Sequence, residues 1–344
     1  MPRKVDNTYR SRKKNIYGSP YNGKESIYWL FKNIFGWKKR LNPKLKLSAM
    51  VPEGTTIINE NIKSKYCIAA IGDIMDMHDK DLIISEDLKS FLSDSDYLLG
   101  NFEATITDMR SSMTAQRHSE RIIDFFGENF RSNDIFLSVA NNHAADYSRE
   151  IFDSSIQKLK DANFNVFGFD KYSYIDLNED IRVITGSIWS NMKEDYVPNL
   201  SDLDIIERKK FNLLYPHWGY ELEHYPRNET IESAVNFLEK SQIDAIIGHH
   251  SHCPQPIMIE PIERQKLQLN IVVAYSLGDF CTGLKQKLYQ FGIVVKIWIG
   301  EIPKKNSMGI SRIDWKFIRC KPVERNTFEI DFTEEFEFKH QKKK

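Results

Sequence analysis

Five short polar clusters in this 344-residue chain each follow an apolar run. They are Gly72-Asp73, Asn101-Phe102-Glu103, Asn141-Asn142-His143, His217-Trp218-Gly219 and Gly248-His249-His250-Ser251-His252. Short apolar runs are typical of buried strands, and ligands bind at the carboxyl edge of open α/β sheets. The clusters supply carboxylates, amides and imidazoles, which suit a divalent ion such as Mn, Fe or Zn. The spacing therefore predicts a metal site at one sheet edge.

Each cluster alone has a simpler interpretation. An aspartate after a strand, such as Asp73, is most often a cap or turn residue, and paired asparagines usually form a turn. A histidine-rich tract can be plain surface sequence. Their shared placement favours the metal site, because five of the nine histidines stand at predicted strand ends. These five are His143, His217, His249, His250 and His252.

The order of the motifs adds a resemblance. Residues 65–322 resemble the bacterial capsule-synthesis, or poly-γ-glutamate-synthesis, family (CapA-type), which is similar to calcineurin-like metallophosphoesterases. The matching segments are 72–75, 101–103, 140–146, 217–221, 248–252 and 275–280. Ser251 stands where the family usually has proline, and Asp279 where it usually has asparagine. Neither departure removes an expected ligand, so both bear on substrate fit.

The resemblance implies six ligands for one or two divalent ions. They are Asp73 and His252 at a first ion, Asn142, His217 and His250 at a second, and Glu103 bridging both. Two such ions lower the pKa of a bound water and clamp the attacking and leaving oxygens of a phosphoester. His143 is then expected to be catalytic, as the general acid or leaving-group stabiliser.

Further polar residues are expected to orient the ligands or to contact substrate. Asp146 is predicted to support His143 in catalysis, although capping of the following helix explains it equally well. Glu221 is predicted to orient His217. Asn101, Asn141, His249 and Asp279 complete this group.

Two points about the ligand set stay open. The phosphoesterase pattern D-x-H would place a histidine where this chain has Met75, so a single ion, or a weakly bound first ion, is an alternative. The sequence also does not decide whether His249 or His250 pairs with His252.

The chain has zero formal charge, but the charge is unevenly distributed. Residues 1–48 contain thirteen Lys or Arg against two acidic residues, a net charge of +11. We expect this arm to contact an anionic membrane or synthase subunits. Its aromatic stretch predicts either an interfacial helix anchored by Trp29 and Trp37 or a helix packed on the catalytic domain. The stretch is too short to span a bilayer and no signal-peptide core is apparent, so the expected location is the cytoplasm or the inner membrane face.

Alternating strands and helices predict an α/β fold. Ten strands are predicted, over 66–72, 97–101, 135–140, 164–169, 182–187, 211–215, 244–248, 271–276, 292–299 and 311–319. Helices are predicted over 149–163 and 230–242. The excess of strands indicates a layered two-sheet sandwich flanked by helices, which is the calcineurin-like architecture that the resemblance implies.

The predicted organisation is a basic extension (1–48), one CapA-type metallophosphatase-like domain (65–322) and a C-terminal tail (323–344). Residues 109–133 are expected to form a loop over the site, and the tail is expected to fray. The four cysteines form no C-x-x-C pair, which argues against a zinc ribbon or dithiol motif and favours a reducing compartment.

The expected function is metal-dependent hydrolysis or transfer at a phosphoryl-type bond, with a phosphoester or a capsule-like surface polymer as substrate. The polymer context comes from the resemblance alone. The alternative is a non-catalytic subunit that binds metal or polymer within a membrane-associated polymer synthase. A nucleic-acid partner is disfavoured, because residues 49–344 carry a net charge of −11.

Overall fold

The computed structural model describes residues 21, 23–36, 40–110, 114–192, 194–200, 206–207, 209–264 and 267–338. Its α-helices are α1 (Gly23–Phe35), α2 (Glu86–Ser93), α3 (Arg121–Asn129), α4 (Arg149–Asp161) and α5 (Asn228–Lys240). The first nine strands are β1 (Gly54–Ile57), β2 (Tyr66–Ile74), β3 (Asp81–Ile84), β4 (Tyr97–Phe102), β5 (Thr105–Ile106), β6 (Arg117–His118), β7 (Ile135–Ser138), β8 (Asn165–Phe167) and β9 (Tyr174–Asp176). The others are β10 (Ile181–Ser187), β11 (Phe211–His217), β12 (Ala245–Ile247), β13 (Ile257–Arg264), β14 (Leu267–Ala274), β15 (Asp279–Cys281), β16 (Phe291–Glu301), β17 (Met308–Pro322) and β18 (Thr327–Phe332).

Two large sheets form the centre of the fold. The first has the order β3-β18-β17-β16-β2-β4-β7-β8, with β1 added on β17 and β15 on β2. The second has the order β13-β14-β12-β11-β10-β9, and β5 and β6 form a separate pair. Strands β2, β4, β7 and β8 run parallel, as do β10, β11, β12 and β14. Each sheet therefore brings several carboxyl ends to one edge.

The two sheets pack face to face, with Ile68 and Leu99 of the first against residues such as Leu213 of the second. Helices α2, α3 and α4 cover the outer face of the first sheet. Helix α5 covers the outer face of the second, where Phe237 joins a cluster with Ile246. The chain therefore has the predicted layered α/β architecture, with two sheets between helices.

Local sequence explains why these helices form where they do. The side chain of Ser85 accepts a hydrogen bond from the backbone N of Leu88, which caps the start of α2. In α4, Phe152, Ile156 and Leu159 recur at helical spacing and are all buried. Helical periodicity therefore places one apolar face of α4 on the first sheet.

All ten predicted strands and both predicted helices are present, with ends shifted by up to a few residues. Two other expectations are wrong. The segment 109–133 is not simply a loop, since it contains β6 and α3. The tail does not fray over 327–338, because β18 pairs with β17 and β3, and Phe336 and Phe338 are buried. In the described part of the chain, no helix has the length and apolar character needed to cross a membrane.

Candidate metal centre

The centre lies where the carboxyl ends of the parallel strands of both sheets meet. The first sheet contributes Asp73 in β2, Asn101 in β4, Glu103 directly after β4, and residues 141–143 in the loop that follows β7. The second contributes His217 at the end of β11 and the His249–His252 segment after β12, and His217 forms a parallel bridge with His249. The strand-end placement expected from sequence therefore brings the polar clusters to one region.

Gly72 permits the close approach of β15 to β2. A Cβ atom on Gly72 would lie 1.8 Å from the carbonyl oxygen of Gly278, which is closer than any real contact. That same oxygen accepts a hydrogen bond of 2.9 Å from the backbone N of Asp73. The Gly72-Asp73 pair thus ties the first strand of the site to the segment that carries Asp279.

Asn101 holds the two carboxylates in place. Its Nδ2 donates to Oδ1 of Asp73 at 2.8 Å and to Oε2 of Glu103 at 3.2 Å. Its Oδ1 in turn accepts from Nδ2 of Asn141 at 3.3 Å. Asn101 and Asn141 therefore lie next to the proposed ligands, where they orient carboxylate oxygens.

Glu103 lies at the middle of the centre. Its Oε1 atom is 3.7 Å from Nε2 of His217, 3.7 Å from Nε2 of His252 and 3.9 Å from Nε2 of His143. Burial and the neighbouring carboxylate of Asp73 raise the pKa of Glu103 well above its usual range. Three imidazoles thus point at one carboxylate oxygen.

His217 and His249 lie between Asn142 and Asp73. Nε2 of His217 is 2.5 Å from Oδ1 of Asn142, and its Nδ1 is 2.9 Å from Nδ1 of His249. Nδ1 of His249 is also 3.2 Å from Oδ1 of Asp73. Burial lowers the pKa of His217 well below its usual range, which favours the neutral imidazole, the form that binds a metal.

His252 forms a buried pair with Asp279. Its Nδ1 lies 2.9 Å from Oδ1 of Asp279 and 3.5 Å from Oδ2 of Asp73. Burial lowers the pKa of His252, but the Asp279 carboxylate outweighs burial and raises it to about 9. Burial raises the pKa of Asp279 to about 7 against the opposing effect of His252. The two side chains are hydrogen-bonded to each other, and a cation that binds these atoms must displace the proton between them.

His250 is held in an unusual backbone conformation. Its φ angle is +96°, in a region that residues with a side chain rarely adopt, and its backbone N donates to Oδ2 of Asp73 at 2.9 Å. Its ring lies 4.4 Å from that of His217 and 5.4 Å from that of Trp189, measured between ring centres. Such backbone strain is concentrated at functional sites, where the surroundings hold it in place.

The donor atoms left unpaired in the centre fit a cation. The fully buried atoms without a hydrogen-bond partner include Oε1 of Glu103, Nε2 of His249, both ring nitrogens of His250 and Oδ2 of Asp279. Buried polar atoms are costly unless they are paired or bind a metal. Three groups have ligand atoms within 4.8 Å of one another: Asp73–His217–His249, Glu103–His250–His252 and Asp73–His252–Asp279. In this arrangement His250 groups with His252, while His249 lies beside Asp73 and His217.

His143 and Asp146 form a pair at the rim. Nδ1 of His143 lies 2.6 Å from Oδ2 of Asp146, as expected if the aspartate orients the imidazole. Oδ2 also accepts from the backbone N of Gln116 at 2.8 Å, while Oδ1 accepts from Nδ2 of Asn191 at 3.0 Å. Helix α4 begins after Ser148, which occupies the N-cap position. The carboxylate of Asp146 therefore pairs with these three groups and is not the N-cap of the helix.

The predicted pairing of Glu221 with His217 is wrong. The ring nitrogens of His217 contact Asn142, Asn101 and His249, whereas the carboxylate of Glu221 accepts a hydrogen bond from Nε1 of Trp29. The reason is that α1 packs beside the segment that follows β11, a contact between residues far apart in sequence.

Met75, which stands where the phosphoesterase pattern has a histidine, is buried and packs with Leu222 and Tyr289.

Asn191 is a site residue that the sequence motifs missed. It connects the expected ligand Asn142 to the His143–Asp146 pair. Its Oδ1 accepts from Nδ2 of Asn142 at 3.3 Å, and its Nδ2 donates to Oδ1 of Asp146. It follows β10, which runs parallel to β11, so its strand also ends at the site edge. Asn191 follows the predicted strand that ends at Ser187, so the placement after a strand that indicates the other site residues also indicates this one.

The fold and the centre define a layered α/β protein with a buried site of the type that binds divalent metals. A family model described as bacterial capsule synthesis protein PGA_cap matches residues 67–184 and 187–283, more than half of the chain. The chain belongs to this CapA-type family. All thirteen candidate site residues lie within the matched stretches.

The chain is 25% identical over 217 residues to the PGA biosynthesis protein CapA of Bacillus subtilis (strain 168), covering 54% of this chain and 53% of that protein. It is 21% identical over 281 residues to the capsule biosynthesis protein CapA of Bacillus anthracis, covering 66% of this chain and 62% of that protein. It thus spans less than two thirds of either relative. Among solved structures it is similar to the calcineurin-like phosphoesterase YfkN from Bacillus subtilis, with 12% identity, a TM-score of 0.39, and coverage of 77% of this chain and 91% of that chain.

Proposed function

We propose that this protein is a metal-dependent hydrolase or transferase. It acts on a phosphoryl-type bond in the making or anchoring of a capsule-like or poly-γ-glutamate-type surface polymer. Family membership supports the polymer context. One observation carries the chemistry: three imidazole Nε2 atoms surround the unpaired Oε1 of Glu103, and the most exposed of the three rings, His143, is paired with Asp146.

The ion would be held by the mixed carboxylate, amide and imidazole set of the centre. These groups are Asp73, Glu103, Asn142, His217, His250 and His252, with His249 and Asp279 offering further unpaired atoms. Such a set suits Mn, Fe or Zn. A bound divalent ion supplies Lewis acidity toward a phosphoryl oxygen and lowers the pKa of a water nucleophile.

His143 is placed to handle the proton of the leaving group. Asp146 accepts a hydrogen bond from Nδ1–H, which leaves Nε2 directed toward Glu103 and the interior of the centre. In the protonated imidazole, Nε2–H donates its proton to the leaving oxygen as the P–O bond breaks, and Nδ1–H stays with Asp146. Among the centre's histidines His143 is the most exposed, at 8%, so substrate approaches from its side.

The His143–Asp146 pair also favours an enzyme over a purely binding subunit. A site that only binds metal needs ligands and the groups that orient them, and the pairs within the centre already provide these. Metal-binding histidines are also commonly oriented by a carboxylate, but His143 is not a member of the three groups whose ligand atoms lie within 4.8 Å of one another. A carboxylate-held histidine at the rim, beside those groups, suits a catalytic acid.

The test combines metal analysis with a substrate screen. The protein loaded with Mn, Fe or Zn is assayed on p-nitrophenyl phosphate, a monoester, and on bis-p-nitrophenyl phosphate, a diester. We expect His143→Gln to keep the metal content while lowering turnover roughly a hundredfold or more. His78→Gln, which changes a histidine outside the centre, should match the wild-type rate. Metal-loaded wild-type protein that hydrolyses neither ester would support the non-catalytic polymer-binding subunit instead.

A further inference from the structure

Helix α1 has two faces with different chemistry. One face is polar and clamps the helix to the catalytic domain. Lys32 is buried, and its Nζ donates to the backbone O of Glu221 at 2.6 Å and to Oε1 of Glu223 at 3.1 Å. Glu25 accepts two hydrogen bonds from Arg227, at 2.9 and 2.8 Å. The charged groups of this face therefore have their partners within the protein.

The opposite face is apolar and open to solvent. Its side chains, which we call the apolar crest, are Ile27, Tyr28, Leu30, Phe31, Ile34 and Phe35, and they are 51–76% exposed. The chain has thirteen exposed large apolar side chains among its described residues, and six belong to this helix. Positions 27, 30, 31 and 34 follow helical spacing, so the crest is one continuous stripe. A contiguous patch of this kind marks a binding surface rather than scattered surface residues.

The charge around the crest indicates its partner. Residues 1–48 carry a net charge of +11 in the sequence, whereas residues 49–344 carry −11. A groove of about 580 Å³ at the end of α1 has Phe31 and Phe35 beside Arg40 in its lining, while Arg227 in the same lining is paired with Glu25 and Glu223. Apolar side chains flanked by cations match the interface of an anionic bilayer, where acyl chains lie beneath phosphate groups.

We propose that the apolar crest inserts into an anionic membrane surface and that the basic residues that flank it in the sequence bind the lipid headgroups. A soluble polyanion would satisfy the cations but has no use for six exposed apolar side chains. Trp29 is not part of this surface, contrary to the sequence expectation, because its Nε1 donates to Glu221 on the polar face. Trp37 lies outside the described residues.

Docking through α1 would bring the metal centre close to the bilayer. The helix is clamped to the segment that directly follows His217, through Glu221 and Glu223. Tyr21, just before the helix, lies 6.0 Å from Trp189, and Trp189 lies 5.4 Å from His250, measured between ring centres. A protein held by the crest therefore keeps its centre near the membrane surface, on the other side of α1. The docking itself does not depend on the proposed catalytic activity.

The first experiment measures co-sedimentation with vesicles of phosphatidylcholine alone and of phosphatidylcholine mixed with phosphatidylglycerol. We expect wild-type protein to bind the mixed vesicles preferentially and to keep part of this binding in high salt. The double variant Phe31→Glu/Ile34→Glu should bind roughly tenfold or more weakly, since it places charge where apolar burial is needed. Val235→Glu, at an exposed apolar position on α5, is the matched control and should bind like wild type.

A second measurement separates insertion from adsorption by the basic arm. Ile34→Cys can be labelled selectively with an environment-sensitive dye, because all four native cysteines are buried. Its emission should shift to the blue on mixed vesicles, while dye at Val235→Cys should not respond. No shift at position 34, or undiminished binding of the double variant, would overturn the proposal. If wild-type protein instead ignores vesicles and the double variant converts a dimer into a monomer by light scattering, the crest is a contact between copies of this chain.

Discussion

Nδ1 of His143 lies 2.6 Å from Oδ2 of Asp146, and Nε2 of the same ring faces Oε1 of Glu103 at 3.9 Å. One ring therefore connects a rim carboxylate to the carboxylate at the middle of the centre. This relationship predicts that Asp146→Asn lowers turnover by roughly tenfold to a hundredfold, because the neutral amide stabilises the imidazolium less well. Metal content should not change. Asp153→Asn, an exposed change in the following helix, is the control, and equal rates for both variants would contradict the role of Asp146.

Asn191 should act as a positioning residue. It links Asn142 to Asp146, so Asn191→Ala removes one hydrogen bond to the proposed metal ligand Asn142 and one to Asp146, the partner of the proposed acid His143. We expect turnover to fall by roughly tenfold and the pH–rate profile to shift, since the hydrogen bonding of the His143–Asp146 pair changes. Asn326→Ala, in the turn between β17 and β18, should leave both unchanged. An unaltered pH profile in Asn191→Ala would show that the residue has only a structural role.

Met75 tests how many ions the centre holds. It follows Asp73 by two positions in the chain and is packed against Tyr289, whose ring lies 5.8 Å from that of His252. Met75→His would add an imidazole beside the Asp73–His252–Asp279 group and should raise metal occupancy per chain, measured by elemental analysis after dialysis. Met75→Leu, which keeps an apolar side chain, should match wild type. An occupancy that Met75→His does not raise would show that position 75 is not part of the ligand shell.

His118 makes the stability depend on pH. It is fully buried, and burial lowers its pKa to about 3 against the opposing hydrogen bond to the backbone O of Ile74. Its unfolded value is about 6.5, so the unfolded chain binds more protons between these values and the native state loses stability as pH falls. The loss from this residue should be about 1.4 kcal/mol per pH unit below about 6.5. Urea unfolding at several pH values should show a steeper acid loss in wild type than in His118→Gln, and parallel curves would refute the assignment.

Gly72 should tolerate no side chain. A Cβ there would meet the carbonyl oxygen of Gly278 at 1.8 Å, so Gly72→Ala must push β15 away from β2. We expect a loss of at least about 3 kcal/mol in the free energy of unfolding. Gly127→Ala is the contrasting control, because nothing lies within 4 Å of its Cβ and the position is inside α3. That change should be neutral or stabilising by about 0.5–1 kcal/mol, measured by thermal or urea unfolding.

Most of the fold was predictable because its signals are local. Buried strands such as those that carry Asp73 and His217 are apolar runs followed by polar residues. The run and the polar residues can both be recognised in the sequence without knowing which strands lie beside them. The misses are elements whose stability comes from partners. β18 is held by β17 and β3, and α3 has apolar positions such as Phe126 that pack on the first sheet. Both carry a local pattern, alternation at Phe328 and Ile330 in β18 and helical spacing at Ile122 and Phe126 in α3, but each segment is short and depends on its partners for stability.

The sequence by itself determined which residue types arrive at the carboxyl ends of the strands, because strand patterns and polar clusters are properties of short segments. It also placed Asp146 within reach of His143, since the two are three positions apart. Only the tertiary structure decided the partners of Glu221, the linking position of Asn191 and the grouping of His250 with His252 and Glu103. These contacts join residues from separate strands, loops and the N-terminal helix. Their geometry depends on how two sheets and α1 pack together, which no local pattern encodes.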